Sequence, residues 1–173
     1  MSPASDEALA NLIALHEEVD HQAAALQELH ADRLQCRRGC ASCCVDDLSV
    51  FEVEAVRIRI ACADVLAEAP HGPGGCAFLD AEGACRIYDH RPYVCRTQGL
   101  PLRWADPDQP GIERRDICPL NEAGAPVETL PAGACWELGP VEARLAAMDG
   151  RGGPRARVRL RDLFTPADAD PIS

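Results

Sequence analysis

Leu9, Leu12, Ile13, Val19, Ala23 and Leu26, with His16 and Leu29 on the same stripe, recur at spacings of three, four and seven, and acidic residues fill most of the positions between them. That period predicts an amphipathic helix from about Ser5 to Leu34. Its apolar stripe suits docking, on the rest of this domain, on a second copy of the chain or on a protein partner. A second helix is expected from Ser49, where Ser49 and Glu52 have capping-box spacing and Leu48 and Val53 the spacing of a hydrophobic staple. It should run to about Ala69, with Val53, Val56, Ile60 and Ala67 on one face and Cys62 opposite, a bystander thiol.

Breakers then dominate. PHGPGG at 70–75 is a connector. Residues 76–79 and 84–88 read as short strand-like arms of a hairpin, with Gly83 at its turn. Residues 90–96 suggest a helical turn with Pro92 near its start. The proline- and glycine-rich stretch 97–135 should be irregular, with at most one hairpin around Leu102–Ile117. A third helix is predicted from Gly139-Pro140 to Gly150, with Val141, Leu145 and Met148 inward. Beyond it Ala156, Val158 and Leu160 alternate with Arg155, Arg157, Arg159 and Arg161, the period of an exposed or edge strand.

Composition alters this picture in two ways. The chain has 173 residues but is only 4% aromatic, and it carries ten cysteines. A core of small aliphatics is thin for that length, and a bound metal would add folding free energy. The net charge of −11 argues against a nucleic-acid or anionic-membrane surface. The arginines at 151, 155, 157, 159 and 161 are the one concentrated basic stretch; without interleaved aromatics they suit pairing with the chain's own acids better than nucleic acid. All basic residues are arginine, which with the abundant alanine reads as a GC-rich bacterial coding bias. No secretory signal and no apolar run of membrane-spanning length is visible, so a cytoplasmic setting with reduced thiols is expected.

In such a setting clustered cysteines imply metal ligation rather than disulfides. Residues 36–44 read CRRGCASCC and place Cys36, Cys40, Cys43 and Cys44 within nine positions. Adjacent cysteines bridge each other poorly, but their thiolates can converge on a soft or borderline ion. A second group comprises Cys76, Cys85 and Cys95, with Cys118 further on. Together these eight thiolates would serve two four-sulfur ions, two iron–sulfur clusters or one polynuclear centre. Cys62 and Cys135 stand outside the set.

Three segments together, the 36–44 cluster, Cys85-Arg-Ile-Tyr88 and Arg91-Pro92 followed by Val94-Cys95-Arg96, resemble the YkgJ-type cysteine-cluster proteins, or CxxCxxCC family. The resemblance runs from about Cys36 to Cys118 and implies zinc or iron chelation by the eight cysteines. This chain departs from the family label in its first gap, which holds three residues instead of two and moves Cys36 out of register.

The spacing of Cys36, Cys40 and Cys43 is also that of radical-SAM clusters, but the barrel such enzymes need is not visible. His16-Glu-Glu-Val-Asp20 falls short of the metalloprotease helix motif because Asp20 stands at the second histidine. His90 suits a helix cap better than a ligand. Arg86, Arg91 and Arg96 surround the second cysteine group, where they could balance thiolate charge, bind an anion or support loop carbonyls. No phosphate loop, dinucleotide fingerprint or nucleophile elbow is present, and no catalytic residue is identified.

The sequence therefore predicts a small α+β protein, mainly α-helical, with an irregular cysteine-rich, metal-stabilised core and a minor β-hairpin. It divides into an N-terminal amphipathic helix (1–35), a cysteine-cluster metal-binding domain (36–138) and a C-terminal helix with an arginine-rich tail (139–173). The expected role is binding of zinc or iron through thiolates. The alternative is an iron–sulfur protein for electron transfer or as an accessory to protein modification.

Overall fold

The computed structural model describes residues 6–149 and 157–165. Helix α1 spans Asp6–Leu29 and turns Leu12, Leu15, His16, Val19 and Ala23 inward. Ile13 and Leu29, both placed on the stripe, are instead 42% and 62% exposed, and Leu15 takes the inward position. The helix stops short of Leu34 because His30 and Arg33 are drawn into the loops beyond it. The His30 ring hydrogen-bonds the Ala134 carbonyl at 2.7 Å, and Arg33 donates to the carbonyls of Asn121, Glu122 and Ala125.

Residues expected to open the second helix form strand β1, Ser49–Phe51. Helix α2 then runs Glu52–Ala61, breaks at Cys62, and resumes as the single turn α3, Ala63–Leu66. The start shifts because the tail arginines capture 49–51 as strand: β5, Arg157–Arg159, pairs antiparallel with it, Val50 facing Val158. Capping shifts accordingly. Glu54 reaches back to the Phe51 N–H at 3.2 Å, and the Asp149 carboxylate accepts the N–H groups of Glu52 and Val53. Ile60, expected inward, is 65% exposed, whereas Ala55, Ile58 and Cys62 are buried.

The 76–88 segment reverses as expected, but with a single antiparallel bridge, Leu79 to Cys85. Gly83 sits at the turn with φ +78, where a side chain would be strained. Helix α4, Tyr93–Arg96, follows Pro92. Strands β2, Leu102–Ala105, and β3, Glu113–Asp116, form the expected hairpin, and β4, Trp136–Glu137, adds to β2 in parallel. Helix α5, Gly139–Met148, buries Val141 and Leu145. Of the tail arginines, Arg157 pairs with Glu142, Arg159 with Asp162 and Arg161 with Asp46; Arg151 and Arg155 lie outside the described residues.

Two apolar clusters result. The first joins α1 to Phe51, Val53, Tyr93, Leu100, Trp136, Val141 and Leu145, so the α1 stripe docks on its own chain. The second gathers Val50, Ala55, Ile58, Cys62, Cys76, Phe78, Leu79, Ile87, Leu160 and Leu163. β1 feeds both, Val50 to the second and Phe51 to the first, because successive strand residues face opposite sides.

Between the clusters lies a buried polar junction. Glu54 is 3% exposed, and its carboxylate accepts the Tyr93 N–H at 2.7 Å as well as that of Phe51. His16 lies 3.2 Å from the same carboxylate, and an Arg57 N–H reaches its Nδ1. Arginine can only donate, so Nδ1 accepts and Nε2–H donates to Glu54: a neutral imidazole. Burial holds the His16 pKa below its ordinary 6.5 despite Glu54. As pH falls below about 6.5 the unfolded chain takes up this proton first, so the contribution is complete above that pH and is lost below it. Thermal unfolding midpoints should fall between about pH 7 and pH 5, and His16→Gln should flatten that part of the profile. Glu54→Ala strands two buried N–H groups and should cost about 3 kcal/mol or more in urea unfolding.

Candidate metal centre

Each cysteine-bearing segment is held by its backbone. Cys40 and Cys44 follow tight turns closed by bonds to the Arg37 and Ala41 carbonyls. Gly39, at φ +83, brings this loop against the hairpin turn, where the carbonyl of Glu82 lies 3.7 Å from where a Cβ would stand. The Cys76 N–H donates to the Cys44 carbonyl at 2.8 Å, tying the second cysteine group to the first. Cys85 lies opposite Leu79 across the bridge, and Cys95 rides on α4, whose first N–H is taken by Glu54.

Five of the eight thiols act on one another electrostatically. Cys44 donates a hydrogen bond to Cys43, drawing the Cys43 thiol down to about 6 and pushing Cys44 up. Cys44 is raised further by burial and by Cys43, Cys76 and Cys95. Burial pushes Cys95 up, and Cys76, Cys85 and Cys43 add to it. Cys76 and Cys85 are raised chiefly by burial and eased by nearby guanidinium groups, Arg161 and Arg86 for the first and Arg91 and Arg86 for the second.

The other three lie differently. The exposed Cys36 has its sulfur 3.4 Å from the side-chain amide of Asn121, and the Cys118 carbonyl accepts the Asn121 N–H at 2.7 Å. Cys40 sits in its loop, half-buried. Of the two cysteines outside the set, Cys135 is buried among Arg115, Glu113, Arg103 and Arg33, away from the thiol group. Cys62 is not on an outer face: four residues after Ile58 and seven after Ala55, it shares their buried face and joins the second cluster with Cys76, and the charge of Cys85 acts on it.

Among the described residues no three Cys, His, Asp or Glu side chains already stand as the ligand group of an ion. The donor chemistry nevertheless fits zinc or iron. Several uncharged thiols in one half-buried patch have little else to bond to, and losing their protons to an ion would bring the sulfurs within about 2.3 Å of it. The arginines of the neighbourhood serve the loops as well as the charge. Arg86 donates to the carbonyls of Ala69 and Ala77, Arg91 lies over the Tyr88 ring, and Arg96 pairs with Asp20. His90 makes no cap; its Nδ1 is buried without a hydrogen-bond partner. His21 is exposed, and Asp20 serves the arginines rather than an ion.

Residues 35–119 match the family model CxxCxxCC, described as "Putative zinc- or iron-chelating domain". Over those residues, just under half of its length, the chain is similar to that family. Comparison with curated proteins and with solved structures found no match. The CxxCxxCC segment takes in all eight clustered cysteines together with Cys62, and it leaves out α1, α5 and β5. Metal binding by this segment is thus supported by the family as well as by its donors.

Sequence spacing did not reveal Glu54, Asn121 or the inward turn of Cys62. Glu54 lies two residues past the apparent capping acid, and Asn121 carries no motif of its own. In metal-free protein at neutral pH, iodoacetamide should modify Cys43 fastest within the five-thiol group, with a rate rising through about pH 6, while Cys95 stays slow. Peptide mapping by mass spectrometry reads both.

Proposed function

We propose that the domain chelates zinc or iron through a thiolate centre drawn from Cys43, Cys44, Cys76, Cys85 and Cys95, with Cys36, Cys40 and Cys118 completing the ligand set or forming a second position. The observation that carries this reading is the backbone tie between the two cysteine groups, the Cys76 N–H on the Cys44 carbonyl at 2.8 Å, within the segment that matches the chelating-domain family. A bound ion would cross-link those segments and add its binding free energy to a core poor in large apolar side chains. Arg86, Arg91 and Arg161 stand where they offset the negative charge of several thiolates. Cys43 and Cys44 hydrogen-bond each other, so both sulfurs of this segment are available at one place.

Among the described residues the two small sheets form no barrel, which favours a binding or metal-handling role over radical-SAM chemistry. An iron–sulfur centre used in electron transfer or in support of another protein's modification is the second reading; the four or more available thiolates would hold one.

Metal analysis of protein purified without oxygen separates the two. A colourless protein loaded with zinc supports a structural or storage ion. Broad visible absorbance bleached by dithionite supports iron–sulfur. Cys43→Ser, Cys76→Ser and Cys95→Ser should each lower metal content, whereas Cys135→Ser should leave it unchanged. Equal retention of metal by all four variants would remove the five-thiol assignment. Cys62→Ser should lower the melting temperature, since it puts a hydroxyl into the second apolar cluster.

A further inference from the structure

Asn121 lies just beyond the family-matched residues and is fully buried. Its Oδ1 accepts the Gln35 N–H at 2.7 Å, and its Nδ2 donates to the Gly99 carbonyl at 2.8 Å. These partners fix which side-chain atom is nitrogen, and that nitrogen also stands 3.4 Å from the Cys36 sulfur. The backbone of the same residue donates to Cys118 and accepts from Arg33. One buried amide therefore joins the flanks of the first and last clustered cysteines.

Gly99 completes a socket for the sulfur. It holds φ +90, and a Cβ built there would lie 2.4 Å from the Cys36 Sγ. The sulfur thus occupies space that any other residue at this position would fill. Arg33, itself buried, pins the 121–125 loop through three carbonyls, so the amide is presented from a rigid support. A neutral thiol accepts such a bond weakly; a thiolate accepts it with charge assistance.

We propose that Asn121 is a positioning residue for a metal-bound Cys36. Its amide N–H holds the sulfur against Gly99, so that the one cysteine out of register with the family label serves as a ligand. The inference rests on the thiolate–metal reading above and adds to it a residue outside the family segment.

Cobalt(II) titration of the full chain, read by thiolate-to-cobalt charge-transfer absorbance, tests it. Asn121→Asp keeps the acceptor for Gln35 but sets a carboxylate oxygen against the sulfur. It should weaken Co²⁺ binding about tenfold or more and lower the absorbance to the level of Cys36→Ser. In the Cys36→Ser background the same substitution should add little. Should Asn121→Asp fail to fold, Gly99→Ala, whose Cβ would stand 2.4 Å from the sulfur and 3.2 Å from the Asn121 Nδ2, disrupts the same socket and carries the same expectation. Normal cobalt uptake with an unchanged spectrum in the folded variant would overturn the role of Asn121 alone, as would losses from Asn121→Asp and Cys36→Ser that simply add. A wild-type chain that takes up no Co²⁺, Zn²⁺ or iron would overturn the metal reading as well.

Discussion

The carboxylate of Glu54 is the point on which the rest of the structure turns. Burying a carboxylate is costly unless its oxygens are satisfied. Here one accepts the Tyr93 N–H and faces His16, and the other accepts the Phe51 N–H. Those three partners belong to α4, α1 and the β1–α2 junction, so one side chain fixes the relative positions of three elements. Cys95 lies two residues beyond Tyr93 and inherits that placement. The Asp20 carboxylate repeats the tie from α1 to Arg91 and Arg96, on either side of the same thiol. Tyr93 adds a further anchor, its hydroxyl accepting from Trp136 and donating to the Leu138 carbonyl.

A crowd of sulfurs sets the opposite requirement. Each thiolate makes the next harder to form, and burial makes all of them harder still. The chain answers with arginines whose guanidinium groups also satisfy loop carbonyls. Arg161 donates to the His71 and Gly75 carbonyls while its charge acts on Cys76, and Arg86 reaches the Phe164 ring and the carbonyls of Ala69 and Ala77 on either side of the connector. The family segment supplies the thiols, but part of the apolar wall behind them, Leu160 and Leu163, comes from outside it.

How much of this the sequence disclosed depended on the range of the interactions concerned. The long first helix, the Leu102–Ile117 hairpin and the α5 helix follow from local period and spacing, and each is present. The start of α2 did not follow, because β5 decides it from more than a hundred residues away. Cys62 reads as outward when the face is drawn through Val56 and Ile60; the buried face runs through Ala55, Ile58 and Cys62 instead. The contact of Asn121 with the Cys36 sulfur was not legible, since nothing in the spacing of Cys36 signals a buried asparagine beside it. Polar residues acting through single long-range hydrogen bonds leave no periodic trace.

The strap formed by residues 157–165 bears on the order in which the chain matures. β5 closes on β1, Leu160 bonds back to the Leu48 carbonyl, and Leu160 and Leu163 cover the cluster that contains Cys62 and Cys76. During synthesis every clustered cysteine leaves the ribosome before the residues that shield this flank. The nascent thiols therefore pass through an interval in which oxidants and competing metals reach them more freely than in the finished fold.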